Sequence, residues 1–88
     1  LIHVALLRGE AGNAGITDIS QKQGYLRFTV KDFDMEKVSA MYATDEYKGR
    51  LRVEAGSKPC LSLRIKSKGR VIDEARKFAR DWQRGVNS

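Results

Sequence analysis

One histidine and one cysteine, His3 and Cys60, are the residues of this 88-residue chain most apt for nucleophilic or metal chemistry. A serine or cysteine nucleophile needs a base held beside it, and that base is most often histidine. His3 falls in an apolar run, far along the chain from Cys60, with no partner fixed by spacing. A structural zinc site takes about four ligands, which one Cys and one His cannot supply. Carboxylates stand near one another as Asp32/Asp34, Asp45/Glu46 and Asp73/Glu74. Each pair falls at a helix start or in a polar turn, where acidic groups serve the helix dipole or solvation. Gly56-Ser57-Lys58-Pro59 lacks the spacing of a phosphate-binding loop, and Gly9, Gly12 and Gly15 follow no strand. The expectation is a chain with no catalytic, metal or cofactor site.

The pattern with the best physical case is basic. Arg27, Arg50, Arg52, Arg64 and Lys66 each occupy the polar phase of an alternating segment, with Tyr25 in the same phase as Arg27. If those segments pair as strands, their side chains collect on one face. Such a face can hold phosphates and stack bases, or meet an acidic protein surface through charge-assisted hydrogen bonds. It can also simply keep a sheet soluble and protected from edge pairing. The paired aromatics of an RNA-recognition sheet are missing, and so is a GXXG loop between helices.

The elements that would position these residues follow from periodicity. Residues 1–14 carry apolar side chains at helical spacing and stop at Gly15. Residues 16–22 and 25–31 alternate as strands around Gln23-Gly24, with Leu26, Phe28 and Val30 pointing inward. Asp34 can cap a helix from Met35 to about Ala43, in which Val38, Met41 and Tyr42 cover the sheet. Thr44 to Gly49 reads as a polar connector. A second hairpin alternates Leu51, Val53 and Ala55, then Leu61, Leu63 and Ile65, against polar neighbours. Val71, Ile72, Ala75, Phe78, Ala79 and Trp82 form the apolar stripe of a last helix that ends at Gly85, with Asp81 on its polar side. The order αββαββα predicts a two-layer α+β domain over residues 1–88, an antiparallel sheet of two hairpins with helices on one face.

Composition narrows the class. Hydrophobic content of 41% with a single proline suits one small folded core, and a core of this size gives stability at the low end of roughly 5–15 kcal/mol. One cysteine permits no intrachain disulfide and favours a reducing, cytoplasmic setting. The opening, Leu1 to Arg8, has no initiator methionine, no basic lead and too short an apolar run to span a membrane. It reads as the interior of a helix, so the chain is expected to be a piece of a larger protein. Seventeen Lys and Arg against eleven Asp and Glu give a formal charge of +6, which favours acidic partners.

Six stretches together, Ala5-Leu6-Leu7-Arg8, Gly15-Ile16, Ile19-Ser20-Gln21-Lys22, Phe33 to Ala40, Tyr47-Lys48-Gly49-Arg50-Leu51 and Ala55-Gly56-Ser57-Lys58-Pro59, resemble the C-terminal domain of bacterial transcription-repair coupling factors. The likeness runs to about Trp82. The family's proteins are ATP-dependent DNA translocases, helicase-like hydrolases that remove RNA polymerase stalled at DNA damage and recruit nucleotide-excision repair. The resemblance implies that ATP and Mg belong to motor domains outside this chain. It also implies that the domain packs on the N-terminal module that binds the excision-repair damage-recognition subunit and masks it until the motor rearranges. The family's domain starts upstream of the segment matching Leu1, with an acidic helix and an Asp-Arg-Phe-Gly turn. Two functions are therefore expected of this chain: a non-catalytic, autoinhibitory interdomain module, or a basic accessory domain that binds nucleic acid through its sheet face.

Overall fold

The computed structural model describes residues 15–31, 33–54 and 59–84. The helix expected over 1–14 and the stretch 55–58 lie outside the described residues. Four strands, β1 (Ile16–Lys22), β2 (Tyr25–Val30), β3 (Leu51–Glu54) and β4 (Cys60–Arg64), form one antiparallel sheet in the order β1-β2-β4-β3. Helices α1 (Met35–Tyr42) and α2 (Val71–Arg84) contribute to the core on its inner side, and a 3₁₀ turn, Lys68–Arg70, leads into α2. This is the expected two-layer α+β arrangement, with the described elements in the expected order.

The first hairpin is set by its turn. Gln23 and Gly24 both have positive φ, 49° and 85°, the backbone of a type I′ turn whose twist matches that of the flanking strands. Lys22 is thereby placed opposite Tyr25, and the register runs back to Ser20 opposite Arg27. A bulge between Ile16 and Asp18 then inserts one residue. Strict alternation would send Ile16 and Ile19 to opposite faces, yet both are buried, because the extra residue restores the phase.

Aromatic packing joins the layers. The rings of Phe28 on β2 and Phe78 on α2 stack with centroids 4.3 Å apart. Phe78 also lies 6.2 Å from Trp82 and meets Tyr47 edge-on at 5.8 Å. Trp82 is buried, as its phase predicts, and the Lys37 ammonium sits 5.1 Å from its ring centroid.

Several expected positions differ. Tyr42 and Ile72 are exposed, each at the margin of its helix's apolar stripe. Val53 is also part exposed, since β3 is a four-residue edge strand with one neighbour. Tyr47, read as part of a polar connector, is buried, and so is Asp81 from the polar side of α2. The Tyr47 hydroxyl donates to Asp81 Oδ2, which also accepts from Lys77 Nζ at 3.3 Å. The two misplacements are one event: a tyrosine and a carboxylate can enter a core together because each meets the other's hydrogen-bonding need.

Helix α1 begins where the sequence placed it, with Asp34 Oδ1 accepting from the Glu36 amide at 2.9 Å. Asp34→Ala should lower unfolding free energy by about 1 kcal/mol, while Asp34→Asn should cost only a few tenths. Urea denaturation followed by the fluorescence of buried Trp82 measures both.

Candidate functional site

The sheet face turned away from the helices carries the cations that alternation predicts, but not all of them. On it the register aligns Lys22, Tyr25 and Arg64 in one row and Arg27, Ser62 and Arg52 in the next. Ser62, in the centre of the second row, is fully buried. Its side chain is so small that its larger neighbours close over it from both sides. The Arg52 guanidinium lies 4.5 Å from the Tyr25 ring centroid, a cation–π contact reaching across β4. Arg27 Nη2 stands 3.2 Å from Glu54 Oε1, and the Ser62 hydroxyl donates to Glu54 Oε2. Lys22, Gln23, Tyr25, Arg27, Arg52 and Glu54 line a hollow of about 230 Å³ on this face.

The electrostatics of the hollow are lopsided: its lining has three cations and one carboxylate. The hydrogen bond from Ser62, and then the charges of Arg27, Arg52 and Lys22, hold the Glu54 carboxyl below its ordinary range, against the opposing effect of partial burial. Glu54 is therefore ionised at neutral pH. Arg27 Nε is shielded from solvent and has no protein acceptor. Arg64 is exposed beside Tyr25 in the register, at the margin of the hollow.

Arg50 and Lys66 do not join this face, and both expectations are corrected. Alternation holds only while the backbone stays extended, and Arg50 follows Gly49, whose φ of 77° turns the chain. The Arg50 and Leu51 amides both donate to Tyr47 O, closing a tight turn ahead of β3. This turn directs the Arg50 side chain into the end of the sheet, where it is 9% exposed. Its Nε and Nη2 donate to Arg64 O at 3.1 and 2.7 Å, and its Nη1 donates to Glu46 O and Oε2, both at 3.0 Å. Nη2 also meets Glu74 Oε1 at 2.8 Å. Glu74 accepts in addition from the Lys66 and Ser67 amides, which ties the start of α2 to the end of β4. Lys66 lies beyond the last residue of β4, with Nζ 3.6 Å from Glu46 Oε2. It lines a separate shallow groove with Glu46, Ser67, Arg70, Asp73, Glu74 and Lys77.

Sequence reasoning thus found Arg27, Arg52 and Arg64 on one face and missed Lys22, Ser62 and Glu54 as parts of the same site. Lys22 was legible, since a two-residue turn at Gln23-Gly24 must place it opposite Tyr25. The place of Ser62 depends on how the two hairpins pair, which no local pattern encodes. His3 lies outside the described residues. Cys60 is half-buried, with its sulfur 3.5 Å from Thr29 Oγ1. Among the described residues, no group of three or more His, Cys, Asp and Glu side chains could hold a metal ion, and no helix is long and apolar enough to cross a membrane.

No protein-family model, curated protein or solved structure matches this chain.

Two substitutions test the structural roles. Arg50→Ala should cost about 3 kcal/mol or more, because it strips a guanidinium from two part-buried carboxylates. Arg50→Lys should recover little, since an ammonium cannot reproduce the planar fork; chemical denaturation reads both. Tyr47 is held protonated above its ordinary value, first by burial and then by its hydrogen bond to Asp81. Its contribution to stability is fully present below the unfolded pKa of about 10 and falls as pH rises above it. The stability difference between wild type and Tyr47→Phe should therefore be flat at neutral pH, at about 2 kcal/mol for a hydrogen bond to a charged group, and shrink in alkali.

Proposed function

We propose that this chain is a non-catalytic regulatory domain of an ATP-dependent DNA translocase that couples removal of stalled RNA polymerase to nucleotide-excision repair. Its role is to pack on the N-terminal module of the same protein and mask the surface that receives the damage-recognition subunit. ATP and Mg act in the motor domains of that parent, as do the contacts with RNA polymerase and DNA, and the setting is the cytoplasm. An autoinhibitory clamp works by differential binding: it must hold its sibling more tightly in the resting state than in the active one.

The observation that supports this reading most is the outer sheet face. There charged side chains are fixed in register on paired backbone, with neither described helix above them, as a docking surface requires. The stretches that resemble the coupling factors supply the frame behind it. Phe33 to Ala40 holds the capped start of α1, and Tyr47 to Leu51 holds the turn that buries Tyr47 and Arg50. A second reading, an accessory domain for nucleic acid, draws support from the cations Lys22, Arg27, Arg52 and Arg64 gathered on this face.

Deleting the domain from the full-length translocase should raise its affinity for the damage-recognition subunit, and adding the domain back in trans should reverse the gain. Unchanged affinity in a folded deletion protein contradicts the clamp. Tight, steeply salt-dependent binding of DNA by the isolated domain, with no effect of deletion, favours the second reading.

A further inference from the structure

The hollow between Lys22, Tyr25, Arg27, Arg52 and Glu54 is a more specific object than a basic patch. Its one carboxylate, Glu54, accepts a hydrogen bond from Ser62 and an ion pair from Arg27, with Arg52 and Lys22 also acting on it electrostatically. Two cations more than Glu54 balances line the space, three against one. Arg27 engages Glu54 through Nη2 alone, and its Nε has no protein acceptor. A guanidinium that is 39% exposed and holds its carboxylate through an exposed nitrogen is suited to exchange that carboxylate for another. The groove beside Lys66 offers nothing comparable: its part-buried carboxylates, Glu46 and Glu74, are already held by Arg50 and by backbone amides.

We propose that the hollow is a docking site for an acidic polypeptide segment, and that Glu54 is its built-in competitor, occupying the Arg27 Nη2 that a partner's carboxylate takes on binding. The inference rests on the outer face being a recognition surface, but not on the identity of the parent protein. Two features favour a carboxylate over a nucleic-acid strand. Glu54 puts a negative charge where a phosphate backbone would run, and Arg52 already covers a face of Tyr25 on which a base would stack. A side-chain carboxylate needs neither a continuous cationic track nor a free ring. Displacement is feasible because Arg27 and Glu54 are 39% and 35% exposed, so their mutual attraction is weakened by solvent.

The test is a titration of the 88-residue chain with a short Glu-rich peptide, a Gln-rich peptide of equal length and oligothymidylate, with arginine Nε–Hε resonances and binding curves recorded together. The Glu-rich peptide should shift Arg27 and Arg52 and leave Arg50 in place. Glu54→Gln should tighten its binding by about two- to fivefold, the range set by one exposed ion pair. Arg52→Gln should weaken binding by a similar factor. Asp45→Asn, the same charge change on the distant connector, should do nothing. Equal gains from Glu54→Gln and Asp45→Asn overturn the proposal, as does tighter binding of oligothymidylate at Arg27 and Arg52, or equal binding of the two peptides. If the Glu-rich peptide binds in the hollow but the N-terminal module of a coupling factor shifts no resonance there, the regulatory reading falls and the acidic-segment site stands.

Discussion

The guanidinium of Arg50 organises the closed end of this sheet. A charged group with five N–H donors can be taken out of water only where nearly every donor finds an acceptor. Here the acceptors come from the connector before β3, from the last residue of β4 and from the first turns of α2. Meeting that demand fixes where the connector turns, where β4 ends and where α2 starts. The chain therefore leaves β4 in one direction, and Phe78 arrives on Phe28 with Trp82 beside it. The Tyr47–Asp81 bond, drawn from the same connector and the same helix, holds the two together further along.

This division of labour separates two kinds of cation that look alike in sequence. Arg50 serves the fold, with its charge matched by Glu46 and Glu74. Arg27 and Arg52 flank a buried serine on the opposite side of the sheet from the core, with one carboxylate, Glu54, against their two charges. A small residue in the middle of an exposed sheet face creates room, and long side chains around it lean in. The hollow is thus a product of strand order, because only the pairing of β2 with β4 and of β4 with β3 brings Arg27, Ser62 and Arg52 into one row.

Most of the frame was legible beforehand. Asp34, the Gln23-Gly24 turn and the apolar phase of α2 each act locally, through backbone hydrogen bonds or periodic burial, so a linear pattern carries them. Arg50 departs from the strand face because the left-handed Gly49 makes the strand phase begin at Leu51, a residue later than the alternation suggests. Tyr47 and Asp81 were misplaced for another reason: a buried polar pair is recognisable only when both members are seen together, and here they are 34 positions apart. Ile16 and Ile19 show the converse, an irregular spacing that a bulge makes regular. The site was the least legible part, since Arg52 and Glu54 join the first hairpin's side chains only through the order in which the strands become neighbours.

The arginines are of two kinds: Arg50 is bound into the fold on every side, whereas Arg52 and Arg64 stand exposed on the outer sheet face. Solvent exchange of the arginine Nε–Hε protons in the free domain tests this division directly. Arg50 should exchange at least about tenfold more slowly than Arg52 and Arg64, because a hydrogen-bonded, part-buried donor must open before it exchanges. Exchange of Arg50 as fast as that of Arg52 would contradict it.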